Sequence, residues 1–137
     1  MSKKLKIRKA KSEDLSTLRK IDPEISALEK DILKYYLKKR GIFIVQNRRN
    51  HQIEGFLLSQ VLNWVNNKRR IVWIEHIYIN PKKKNGEAAQ ALLDYLKDYY
   101  RHLDPNVKYV FGNMNPGDKE LIKISNGLQS ISYFGKL

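Results

Sequence analysis

One unit constrains this chain more than any other: a strand, a proline, a basic turn and a helix in direct succession. The run RIVWIEHIYIN at 70–80 is the most strand-like of the sequence, rich in β-branched and aromatic residues. Pro81 ends it. KKKNGE then makes a basic, glycine-containing loop, and 88–100 reads as a helix with Ala89, Leu92, Leu93 and Leu96 on one face. A strand that feeds a helix in this way points to an α/β architecture, with helices packed on a sheet.

The rest of the chain fits around that unit. LKIRKA alternates Leu5 and Ile7 against Lys6 and Arg8, a half-buried first strand. Ser12 precedes Glu13 and Asp14, a helix start with acids in its first turn, and Leu15, Leu18 and Ile21 keep helical spacing. Asp22 and Pro23 restart the helix as N-cap and first helical residue. Ile25, Leu28, Ile32 and Tyr36 give it one apolar face, and Gly41 follows as its left-handed cap. Strands at 42–46, 53–64 and 70–80, joined by polar turns at 47–52 and 66–68, read as an antiparallel meander. After the 88–100 helix come a strand at 107–114, a short helix at 118–126 and a last strand at 129–134. The order is β, α, α, β, β, β, α, β, α, β, with a mixed sheet.

At 137 residues the chain fits a single domain, 1–137. A domain of this size hides roughly two-thirds of its unfolded surface and needs no staples. It has no cysteine, which excludes a disulfide scaffold, a Cys-based zinc site and a cysteine nucleophile. His51, His76 and His102 are too scattered for a His-only metal site, so no metal is expected. No apolar run approaches the roughly 18 residues of a membrane span, and MSKKLKIRKAK has no apolar signal region. The expectation is a cytoplasmic protein without a membrane partner. The net charge is +13. Such a chain attracts polyanions, nucleic acid included. Its basic residues are spread over 3–11, 38–40, 48–49, 68–70 and 82–84, which equally fits a solvated lysine surface.

The strand from Glu75 and the loop and helix to Leu93 resemble the acetyl-CoA site of the GNAT (Gcn5-related N-acetyltransferase) superfamily, and the element order resembles that fold over the whole chain. IRKAKSEDL also resembles a GNAT opening. The resemblance implies a GNAT-like α+β fold, with a mixed, mostly antiparallel central sheet and helices on both faces. It implies an N-acetyltransferase that moves an acetyl group from acetyl-CoA, as cosubstrate, to an amine acceptor. A helix N-terminus presents unpaired amides and a partial positive charge, a cradle for a pyrophosphate. The coenzyme-binding residues implied are Lys82, Lys83, Lys84, Asn85, Gly86, Glu87, Ala88 and Ala89 in the loop and helix start. Ile77 and Ile79 would offer backbone groups to the pantetheine arm where the strand splays from its neighbour, and Asn113 or Asn115 would contact the coenzyme.

Glu75 is the catalytic candidate, a base taking a proton from the incoming amine. In an apolar strand its carboxyl would be desolvated; the alternative is a Glu paired on an exposed sheet face. His76 is adjacent, hence expected on the opposite face, in a structural role. Where many GNAT enzymes have a tyrosine acid, four residues before Gly127-Leu128, this chain has Lys123, a candidate proton donor. Glu87 also departs from the pattern. It either repels a phosphate or fills the anion site, or it points outward and pairs with Lys83 or Lys84. These departures keep a second hypothesis open: an inactive GNAT-fold protein whose basic surface binds nucleic acid or a protein partner. Tyr35-Tyr36 and Tyr99-Tyr100 read as half core and half rim, and Trp64 and Trp73 as packed on neighbouring strands. The tail at 127–137 is short for this fold, which suggests an open acceptor groove or completion by a second subunit in a homodimer.

Overall fold

The computed structural model describes residues 4–26, 30–64, 69–83, 86–113 and 131–136. At its centre is one six-stranded sheet in which every strand lies beside its sequence neighbour. The strands are β1 (Leu5–Lys9), β2 (Ile42–Asn47), β3 (Ile53–Trp64), β4 (Arg69–Ile79), β5 (Val107–Asn113) and β6 (Ile131–Lys136). All neighbours are antiparallel except β4 and β5, which run parallel. A parallel pair needs a crossover rather than a tight turn, and α4 (Glu87–Leu103) makes it. The expected mixed, mostly antiparallel sheet is the observed one, and its meander is β2–β3–β4.

Helices cover both faces. α4 buries Ala89, Leu92, Leu93 and Leu96 against Phe43, Val45, Leu57, Val72 and Ile74. On the other face α1 (Leu15–Ile21), α2 (Pro23–Ser26) and α3 (Lys30–Lys38) set Leu18, Ile25, Leu33 and Tyr36 against Ile42, Ile44, Phe56 and Leu58. Along β2 the two cores take alternate residues, as the period of two requires. Each Leu or Ile so buried contributes about 1.5–3 kcal/mol, and both faces of the central strands are used.

Local details differ from the sequence reading, each for a physical reason. The first helix opens with a 3-10 turn, Ser12–Asp14, before α1. Asp14 is drawn back to the Lys11 amide at 2.7 Å and to Arg8 at 2.8 and 2.9 Å. The Asp22 cap is present, its carboxylate accepting the Glu24 amide at 3.0 Å. The apolar face beyond it runs through Ile25, Leu33 and Tyr36, while Ile32 is exposed; Leu28 lies outside the described residues. The left-handed residue ending α3 is Arg40 (φ 56), not Gly41. The Arg40 amide reaches the Leu37 carbonyl and the Gly41 amide the Tyr36 carbonyl, both at 3.0 Å, the two bonds of a Schellman turn. Gly41 is required by space instead: a Cβ there would stand 1.8 Å from the Ser59 carbonyl oxygen. The last strand is shifted to Ile131–Lys136. The expected helix at 118–126 and turn at 66–68 lie outside the described residues. Among the described residues no helix is long and apolar enough to cross a membrane.

Candidate functional site

The sheet breaks at one place, in the middle of β4. On the β3 side Ser59 pairs with Ile74 and Leu58 with His76, so the register shifts at Glu75 and the strand bulges there. On the β5 side the register ends at Ile74 opposite Gly112, while β4 runs on to Ile79. The described β4–β5 register therefore ends where the bulge falls, at the position where a splay was expected.

A bulge breaks the two-residue alternation of a strand. Ile74 and Ile77 both pack with α4, which leaves Glu75 and His76, consecutive in sequence, on the same opposite face. This corrects the expectation that His76 faces away from Glu75. His76 Nε2 lies 2.6 Å from the buried Asp22 Oδ2, and Nδ1 lies 3.4 Å from Glu24 Oε2. The imidazole thus ties β4 to the α1–α2 junction, a structural role. Asp22 serves twice, capping α2 and holding this ring.

Glu75 is exposed, not desolvated among the apolar residues of its strand. The Trp73 indole N–H donates to its Oε2 at 2.7 Å. Gln60, directly opposite Trp73 on β3, accepts from the Tyr35 hydroxyl at 2.9 Å and donates to the Tyr36 hydroxyl at 3.2 Å. Burial first, and then the Glu75 charge, push the Tyr36 hydroxyl up to about 12. It therefore stays protonated at any ordinary pH. The face beside the fork is a row of one carboxylate, one indole, one amide and two phenols. The sequence reading singled out Glu75 and missed Gln60 and the tyrosines as its surroundings. Trp73 and Glu75 are two apart on a strand, a signal that they share a face; the place of Gln60 depends on a β3–β4 register that sequence alone does not give.

The other end of the candidate site is the start of α4. Asn80 Oδ1 accepts the Lys82 amide at 3.0 Å and turns the chain into a 3-10 segment, Pro81–Lys83. Gly86 is left-handed (φ 82), with no described atom within 4 Å of where a Cβ would be. It precedes Glu87, the exposed first residue of the helix, while Ala88 and Ala89 are buried under it. As the N-cap residue Gly86 brings no side chain of its own to the helix amides. Lys82 is exposed. Ile77 and Ile79 point their side chains into the α4 core and pair with Leu57 and Gly55 of β3. From Glu75 to Ile79 the strand spans about 13 Å at ~3.3 Å per residue. Lys84, Asn85, Asn115 and Lys123 lie outside the described residues, as does the side chain of Lys83. Tyr36 and Tyr100 are buried, with Tyr35 exposed and Tyr99 half-buried, as the core-and-rim reading has it.

No family model and no curated protein matches the sequence. Solved structures do match the fold. The NatB acetyltransferase complex bound to CoA and MES superposes with a TM-score of 0.73 at 12% identity, covering 93% of this chain and 95% of that one. Arabidopsis thaliana NAA60 in complex with acetyl-CoA gives 0.70 at 13% identity, covering 94% and 96%. A GNAT-family acetyltransferase from Bacillus cereus gives 0.67 at 20% identity, covering 97% and 98%. Near-complete coverage in both directions, together with the forked mixed sheet and the two helical layers, establishes that this chain has the GNAT acetyltransferase fold.

Proposed function

We propose that the protein is an N-acetyltransferase that moves an acetyl group from acetyl-CoA to an amine. The observation that carries the reading is the fork in the sheet, with Glu75 at its apex and the start of α4 at the far end of the same strand. Two of the structural neighbours were solved with acetyl-CoA or CoA. The residues present fit such a molecule. A left-handed Gly86 without a side chain lets a phosphate approach the backbone, and the amides of a helix start favour an anion. Lys82, with Lys83 and Lys84, adds charge for the phosphates. The edge of β4 beyond Ile74, at Ile77 and Ile79, offers peptide groups to the amides of the pantetheine arm.

The coenzyme supplies an acyl carbon activated as a thioester. An acceptor amine attacks it only when neutral, and near pH 7 a lysine-like amine is mostly protonated. Glu75 takes that proton, directly or through a water; the C–N bond forms in a tetrahedral adduct that collapses with loss of the C–S bond, Lys123 gives a proton to the departing sulfur, and the amide nitrogen yields its remaining extra proton to water. Glu87 is exposed at the helix start. In this reading it weakens coenzyme binding without preventing it.

Calorimetric titration with acetyl-CoA, with free CoA as comparison, tests the reading. Micromolar binding is expected, and Glu87→Gln should tighten it about threefold to tenfold at low salt. Glu75→Gln should leave that affinity unchanged and reduce acetyl transfer at neutral pH by 10²-fold or more. No heat and no rise in melting temperature at millimolar acetyl-CoA would overturn the proposal. It would turn attention to the basic surface and nucleic acid.

A further inference from the structure

We infer that Trp73 is a positioning residue for Glu75, its indole N–H fixing the carboxylate that receives the acceptor's proton. The inference rests on the proposed function, because the role is defined by the base that Trp73 holds. The geometry is local and direct. Nε1 stands 2.7 Å from Oε2, and the two residues sit on one face, two apart, with Glu75 at the bulge itself.

Glu75 is exposed and lies past the last residue that β4 pairs with β5. A glutamate in such a place has three side-chain torsions to hold, and solvent competes for its oxygens. An indole N–H is a donor and never an acceptor. It therefore meets an ionised carboxylate in one orientation, through a charge-assisted bond. The strand position opposite the indole is itself fixed. Gln60 is the register partner of Trp73 on β3, and its amide is held between the hydroxyls of Tyr35 and Tyr36. Tyr36 is in turn packed in the core with Leu18, Ile25 and Phe56. Trp73 thus stands on a strand pair anchored to the core, and its N–H gives the exposed acid one fixed partner. Reaction rates are sensitive to such placement, since small displacements of a catalytic group cost orders of magnitude.

Trp73→Phe keeps an aromatic ring and removes only the donor. With acetyl-CoA and a reactive amine, its kcat should fall about tenfold while KM for acetyl-CoA stays the same. A merely structural tryptophan would leave kcat untouched or move both together, and either result overturns the inference. A second readout needs no activity. The chain has two tryptophans, so Trp64→Phe leaves Trp73 as the sole indole. Its emission should shift when Glu75→Ala removes the carboxylate that accepts the N–H. Emission unchanged by Glu75→Ala overturns the inference whether or not the protein transfers acetyl groups. A shift in emission, with a wild-type protein that transfers no acetyl group, would overturn the proposed function, and with it the catalytic role of Trp73, while leaving the hydrogen bond in place.

Discussion

Gly41 and Gly86 are required for opposite reasons. At Gly41 the backbone conformation is ordinary, but a Cβ would collide with the Ser59 carbonyl at 1.8 Å. That carbonyl is main chain of a central strand and cannot swing aside as a side chain would. Gly41→Ala is therefore expected to cost about 3 kcal/mol or more, read as a fall in the urea midpoint. At Gly86 there is room and the cost lies in the left-handed backbone, so Gly86→Ala should cost only about 1–2 kcal/mol. Equal losses at the two positions would contradict this account. The sequence identifies both glycines, but it assigns Gly41 the wrong reason. A left-handed cap is a local property that pattern reading can propose, whereas an approach between residues 41 and 59 is set by the tertiary structure. The same limit explains Glu75. Its type and its strand are legible. The bulge that lifts it out of the apolar row, and turns His76 onto its side, is a property of pairing with β3.

At the scale of elements the start of α2 is the most informative. Asp22 caps the helix and also receives His76 from β4, so one buried carboxylate joins a helix to the sheet. Asp22→Ala removes both bonds and should cost about 2 kcal/mol in chemical unfolding. Asp22→Asn keeps a capping oxygen and should recover much of that loss. An alanine variant as stable as the wild type would show that the junction is held by packing alone. Most elements were legible because periodicity, proline and caps act within a few residues: the meander, α4 and the Asp22 cap lie where those signals put them. The apolar face after Pro23 differs at one position: Ile32 is exposed, and Leu33 takes the buried place beside Tyr36.

For the molecule as a whole, stability should narrow at both ends of the pH scale. The hydrogen bond from Arg8, then the one from the Lys11 amide and the Arg8 charge, hold the Asp14 carboxyl below its ordinary value against its partial burial. That pair contributes fully above the ordinary carboxylate range and is lost as pH falls through the lower folded value. Burial raises the hydroxyls of Tyr36, Tyr78 and Tyr100. Their contribution is intact below pH ~10, where an unfolded tyrosine begins to ionise, and disappears as pH rises through the folded values, which for Tyr36 means about 12. Urea midpoints should accordingly drop as pH rises from ~10 to about 12, and Tyr36→Phe should flatten that drop. A drop of the same steepness in the variant would remove Tyr36 as a cause.

The parallel pairing of β4 with β5 has a kinetic side. It joins residues as distant as Ile71 and Tyr109, while β2, β3 and β4 join near neighbours in sequence. Distant pairings close long loops and form slowly. The meander should therefore zip up early, and β5 should dock onto it late. By the same token β5 amides are expected to exchange with solvent deuterium sooner than those of β3. A molecule spanning the fork would slow that exchange selectively. A seam the chain stitches late is then also one a substrate can hold shut, so folding and binding would be read out at the same few peptide bonds.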